Sequence, residues 1–69
     1  MKVFADITGT VWKLEVSPGQ RVAEGDTLLI VESMKMEIPV AAPAAGLVQD
    51  IFVAEGEMVE DGMVIMQLG

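Results

Sequence analysis

The chain repeats itself. Gly9 recurs as Gly46, Val11 as Val48, Val16 as Val53, Gly19 as Gly56, Val22 as Val59 and Gly25 as Gly62, an offset of 46 − 9 = 37 residues. Six of the seven glycines fall into three of these pairs, and the seventh is Gly69. Two copies in one short chain demand a fold with a pseudo-twofold axis. The copies run from about 9 to 32 and from about 46 to 69, within a single domain spanning residues 1–69.

The copies read as strands and turns. In the first, Leu14 and Val16 keep the period of two of a half-buried strand, and Ile51 and Val53 do the same in the second. Val11 and Val48 are out of phase with them, which places a bulge at the same point of each copy. Ser17-Pro18-Gly19-Gln20 carries Pro and Gly where a type II turn needs them. Ala54-Glu55-Gly56-Glu57 keeps the Gly and loses the Pro. Gly turns at 25 and 62 then lead into strands over 27–32 and 64–68. Seven Gly and three Pro leave no window with helical periodicity.

Segment 40–45, Val-Ala-Ala-Pro-Ala-Ala, admits two readings. One is a flexible Ala-Pro linker between two half-domains. The other is a packed connection, because a half with only a few short strands cannot bury a core alone. Pro43 then marks a strand entry or edge. The fold expected is all-β: a flattened barrel or sandwich of two four-stranded antiparallel sheets.

With 69 residues and neither Cys nor His, neither disulfides nor the commonest zinc sites can staple the molecule. Stability rests on packing, and 52% of the residues are hydrophobic. The net charge is −7, from 4 basic and 11 acidic residues. That charge repels nucleic-acid phosphates and anionic membrane surfaces. The longest strongly aliphatic run is 28–31, far short of the ~20 residues that span a bilayer. Asp6 interrupts any apolar leader region. A soluble, cytoplasmic protein is expected.

Between the copies lies Glu32-Ser33-Met34-Lys35-Met36-Glu37. A tight hairpin at Met34-Lys35 exposes the lysine, and the symmetry of the copies puts it at the opposite end from the termini. The exposed lysine is flanked by two acids, Glu32 and Glu37. It is a poor base or Schiff-base former, which needs burial. Another enzyme must therefore deprotonate and modify it. Met34 and Met36 are open to two readings. They pack down on the core as residues two apart on one face, or they form an adaptable recognition patch. Trp12 is also open to two readings, a partly buried core aromatic ahead of a binding anchor.

Glu-Ser-Met-Lys-Met-Glu between two Gly-Val repeats resembles the biotinyl domain of biotin carboxyl carrier proteins, and in particular the short stand-alone biotin/lipoyl attachment proteins. The resemblance runs from Val3 to Leu68, with Gly19, Gly25, Gly46, Gly56 and Gly62 at family-like places. It implies the same barrel, with Lys35 on a hairpin tip carrying biotin in amide linkage. It implies Met34 and Met36 as the flanking residues read by biotin protein ligase and carboxylase, with Glu32 and Glu37 beside them. It implies a non-catalytic carrier that shuttles activated CO₂ between a biotin carboxylase and a carboxyltransferase, in an acyl-CoA carboxylase. Two departures stand out. Ala5-Asp6-Ile7-Thr8-Gly9 replaces the family's Ala-Pro-Met-Pro-Gly, and the protruding insertion of some bacterial carriers has no counterpart.

Three other functions compete. A lipoyl carrier of a 2-oxo-acid dehydrogenase-type complex shares the fold but usually has an acid before the lysine, where this chain has Met34. An enzyme would have to work through Glu24/Asp26 or Glu60/Asp61, which lie in Gly turns. An unmodified interaction module would be indifferent to Lys35→Arg.

Overall fold

The computed structural model describes residues 1–69 as eight strands and no helix. They are β1 (Lys2–Phe4), β2 (Gly9–Leu14), β3 (Arg21–Val22), β4 (Thr27–Ser33), β5 (Met36–Ala41), β6 (Gly46–Ile51), β7 (Met58–Val59) and β8 (Val64–Leu68). Two four-stranded antiparallel sheets result, ordered β1-β8-β6-β3 and β5-β4-β2-β7. The molecule measures 31 × 18 × 18 Å.

The offset of 37 governs the whole core. Its sixteen buried residues form eight pairs: Val3/Val40, Ala5/Ala42, Val11/Val48, Val16/Val53, Val22/Val59, Leu28/Ile65, Leu29/Met66 and Val31/Leu68. All are apolar and no buried side-chain polar atom lacks a partner. The structural repeat therefore begins at Val3 and Val40, six residues before the glycine that opens each copy in the sequence. A core this small must be filled to native density. Aliphatic residues on both halves of the axis do this without disulfide or metal.

The two halves are not separate sheets lying face to face. Each sheet takes two strands from each half, β1 and β3 flanking β8 and β6, and β5 and β7 flanking β4 and β2. Reciprocal hydrogen bonds lock the exchange. Gly19 N donates to Val48 O at 2.7 Å, and Gly56 N donates to Val11 O at 2.8 Å. Val48 N and Val11 N donate back to Gln20 O and Glu57 O, each at 2.8 Å. Neither half satisfies its own backbone, so neither folds alone.

All four expected turns form. Gly19, Gly25, Gly56 and Gly62 sit at φ between 89° and 91°, where glycine carries no Cβ penalty. The i to i+3 bonds close at Gln20 N to Ser17 O (3.2 Å) and Glu57 N to Ala54 O (3.1 Å). Bulges interrupt β2 between Val11 and Lys13 and β6 between Val48 and Asp50. Both bulges and all four turns thus fall where the sequence puts them. Segment 40–45 is not a linker. Val40 and Ala41 end β5, Ala42 is buried, and its N–H donates to Asp26 O at 2.8 Å. Pro39 lies in the edge strand β5, where a missing N–H is tolerated.

Candidate functional site

The site is the β4–β5 hairpin. Strand β4 lies between β5 and β2 in its sheet, so its backbone is held on both sides. Leu29 faces Val40 and Val31 faces Ile38 on the inner side. A slip of one residue would turn these side chains to solvent, so the core fixes the register. Ser33 then pairs with Met36, leaving Met34 and Lys35 as a two-residue loop. Beneath it, Gly9 abuts the pedestal so closely that a Cβ there would stand 2.4 Å from Glu32 O and 2.7 Å from Val31 Cγ1.

A two-residue loop matches the twist of its strands when both residues take positive φ, which is why Asn-Gly dominates such turns. Here the two residues are Met34 (φ 52°) and Lys35 (φ 63°), the only non-glycine residues of the chain with positive φ. Each L-residue in this region costs roughly 1–2 kcal/mol. The strain therefore sits at the tip of the hairpin and nowhere else outside glycine.

Lys35 is exposed, and no side-chain hydrogen bond engages it. Met34 and Met36 do not pack down on the core. They are 93% and 60% exposed, because the turn throws one outward and the other lies beyond the last core layer. Glu32 and Glu37 form a directly opposed cross-strand pair, with Thr10 on the other side of Glu32. Like charges so placed destabilise a sheet. The one surface groove, about 470 Å³, lies between edge strands β1 and β5, with Met1, Val3, Phe4, Pro39, Val40 and Pro43 in its walls. None of residues 32–37 line it, so the hairpin is a protrusion and not a cleft.

Trp12 corrects the sequence reading. It is 49% exposed, since the β2 bulge places it beside Lys13 opposite Ile30 on the outer face of the sheet. Met58, paired with Thr10 on that face, also escaped notice, because β7 joins this sheet only through the exchange. The bulge at residue 12 was the available signal for Trp12.

The hairpin and the termini lie at opposite ends. Chain 46–59 starts beside Gly69, whose carbonyl accepts from Leu47 N at 2.9 Å. It ends at Val59, which pairs with Gly9 at the hairpin pedestal. Met1 N donates to Leu68 O at 2.6 Å, so the termini are joined where symmetry asks for a second hairpin.

The family described as biotin-requiring enzyme matches residues 2–68. The biotin/lipoyl attachment protein of Bacillus subtilis is 38% identical over 68 residues, covering 99% of this chain and 93% of that protein. The biotin carboxyl carrier protein of acetyl-CoA carboxylase from Solanum lycopersicum is 39% identical over 66 residues, covering 96% of this chain and 94% of that one. Among solved structures, the urea carboxylase of Kluyveromyces lactis superposes with a TM-score of 0.94 at 33% identity, over the whole of this chain and 6% of that much longer one. The chain belongs to the biotin-requiring enzyme family and has its biotinyl/lipoyl fold.

Proposed function

We propose that residues 1–69 form one attachment domain whose Lys35 carries biotin, making the chain a biotin carboxyl carrier. The observation that carries this is the strained hairpin. Two non-glycine residues at positive φ hold a lysine on the tip of a rigid pedestal, flanked by two exposed methionines. Backbone strain persists where surrounding structure over-determines it, and it concentrates at functional sites. The sheet, its Gly9 contact and the fixed register supply that over-determination.

The residues present fit the group. Lys35 offers an unencumbered amine to a partner's active site, and nothing else at the tip closes over it. Lys35 Nζ would join the carboxyl carbon of biotin as an amide. A biotin protein ligase would use ATP to convert the carboxyl oxygen into an AMP leaving group with release of pyrophosphate. The C–O bond to AMP would break as the C–N bond forms, the ammonium losing two protons in all. Bound biotin supplies the chemistry of holding and releasing CO₂. The chain supplies position: a fixed tip on an anchored base. Tethering raises the effective concentration of the cofactor at each partner site, while biotin carboxylase and carboxyltransferase do the catalysis. The chain itself is a non-catalytic subunit in this reading. Partner carboxylation of an acyl-CoA and a cytoplasmic location belong to the same proposal. No helix is long and apolar enough to cross a membrane.

Met34 separates this reading from lipoyl attachment, which favours an acid there. Co-expression with biotin ligase and with lipoate ligase tests both, read by intact mass. A biotin increment on the wild type and none on Lys35→Arg is expected. A lipoyl increment with no biotin would overturn the choice of cofactor, and an unmodified chain in both cultures would overturn the carrier itself.

A further inference from the structure

The repeat provides an internal control for the surface. Inside, symmetry-related positions are all apolar on both sheets. Outside, they diverge. Trp12 answers to Gln49, Ile30 to Gln67, Pro39 to Lys2 and Met58 to Arg21, each at the offset of 37. The matching is structural as well as numerical. Ile30 pairs with Pro39 and Lys13 on one sheet as Gln67 pairs with Lys2 and Asp50 on the other. Met58 pairs with Thr10 as Arg21 pairs with Leu47. Three positions run the other way, with Leu47 in place of Thr10, Phe4 in place of Ala41 and Phe52 in place of Glu15, so the contrast is carried by Trp12, Ile30, Pro39 and Met58 and not by every outer position.

The same backbone therefore accepts Gln, Lys and Arg at these outer positions. Folding does not call for Trp, Ile, Pro and Met there. Trp12 is 49% and Met58 64% exposed. Solvent-facing apolar groups gathered on one face mark an interaction site. This face is also the one that leads to the hairpin. The next row of the sheet toward the tip is Thr10, Glu32 and Glu37, and the tip itself follows.

We propose that the outer face of β5-β4-β2-β7 is the docking surface for the ligase that modifies Lys35, with Trp12 as its anchor and Met58 beside it. The inference rests on the carrier reading above. Reach selects this partner. An enzyme acting on a bare lysine amine must bring its active site within one side-chain length of the tip. Ile30 is five residues from Lys35, about 16 Å along an extended strand at ~3.3 Å per residue. The body of such an enzyme covers that stretch. A partner that meets only the far end of a cofactor-lengthened arm stands farther off. The ligase surface that fits has an apolar pocket for an aromatic side chain, rimmed by Lys or Arg facing the Glu32–Glu37 pair. Aromatic anchors in such pockets carry much of an interface's energy.

The experiment uses the purified, unmodified full chain, biotin protein ligase, ATP and biotin, with initial rates of biotin transfer measured against carrier concentration. Trp12→Gln and Met58→Arg install residues that the symmetry-related sites already carry, so the fold tolerates them. Gln49→Ala on the opposite sheet is the control, and thermal melts accompany each variant. Trp12→Gln is expected to raise KM for the carrier about tenfold or more with kcat little changed, the loss typical of an anchor. Met58→Arg raises KM by a smaller factor, and Gln49→Ala leaves both constants as in the wild type. Wild-type KM in Met58→Arg and in a folded Trp12→Gln would overturn the docking surface while leaving the carrier reading intact. A wild-type chain that accepts no biotin from the ligase would overturn both.

Discussion

Met34→Gly should make the protein more stable. Met34 is 93% exposed, so about 7% of its surface loses contact on truncation. Full burial of a methionine contributes ~1.5–3 kcal/mol, which makes the packing loss only ~0.1–0.2 kcal/mol. Relief of the left-handed conformation at φ 52° returns about 1–2 kcal/mol. The added freedom of glycine in the unfolded chain costs about 0.5–1 kcal/mol. The net is a gain of about 0.4–0.8 kcal/mol, or a Tm rise of ~2–6 °C for a domain of this size. Calorimetry on the unmodified chain at neutral pH measures it directly. Gly19→Ala provides the opposite sign. Its Cβ would meet nothing within 4 Å, so only the φ of 91° resists it, and Tm should fall by at least about 4 °C. A Tm for Met34→Gly at or below the wild type would refute the claim that strain is stored at the tip. The same variant should be a poorer ligase substrate, the pattern expected where function retains a destabilising residue.

Three further outcomes follow from the geometry. Gly9→Ala should destabilise by about 1–3 kcal/mol through overpacking against Glu32 O and Val31, and by more than Gly46→Ala, whose Cβ meets one close atom, Gly69 O at 2.7 Å; urea midpoints of the two variants decide it. Leu29→Ala, fully buried in the central strand, should cost about 2–5 kcal/mol, a large share of the ~3–10 kcal/mol that a chain of this length commands, and chemical denaturation should show a largely unfolded population. Glu37→Lys replaces a like-charge pair opposite Glu32 by an opposite-charge one and should raise Tm slightly, an effect that shrinks as salt is added; a fall in Tm at low salt would contradict the pairing.

Much of the fold was written in the glycines. Four of them occupy positive-φ turns that few other residues tolerate, and Val11 and Val48 betrayed both bulges by breaking the period of two. The first rung of the repeat escaped because Val3-Phe4-Ala5 and Val40-Ala41-Ala42 contain no glycine to align. The exchange of β3 and β7 escaped for a different reason. Strands of two residues carry no periodicity, and their partners are chosen by backbone hydrogen bonds from the opposite half. At the site, the tight hairpin at Met34-Lys35 was legible from the sequence, whereas its register, with Leu29 opposite Val40 and Val31 opposite Ile38, is known only from the fold. The exposure of Met34 and Met36 did not follow, since apolar character favours burial and only the length of the core decides where it stops. Trp12 was misread for the same reason: a bulge turns a large apolar side chain outward, and hydrophobicity alone does not report which way.

The central claim concerns one amine. Treating the unmodified chain with biotin protein ligase, ATP and biotin, followed by fragmentation mass spectrometry, locates the label. The account predicts a single biotin, on residue 35, with Lys2, Lys13 and the α-amine bare. A label on either of those lysines, or a hairpin peptide recovered without biotin after full reaction, would contradict it.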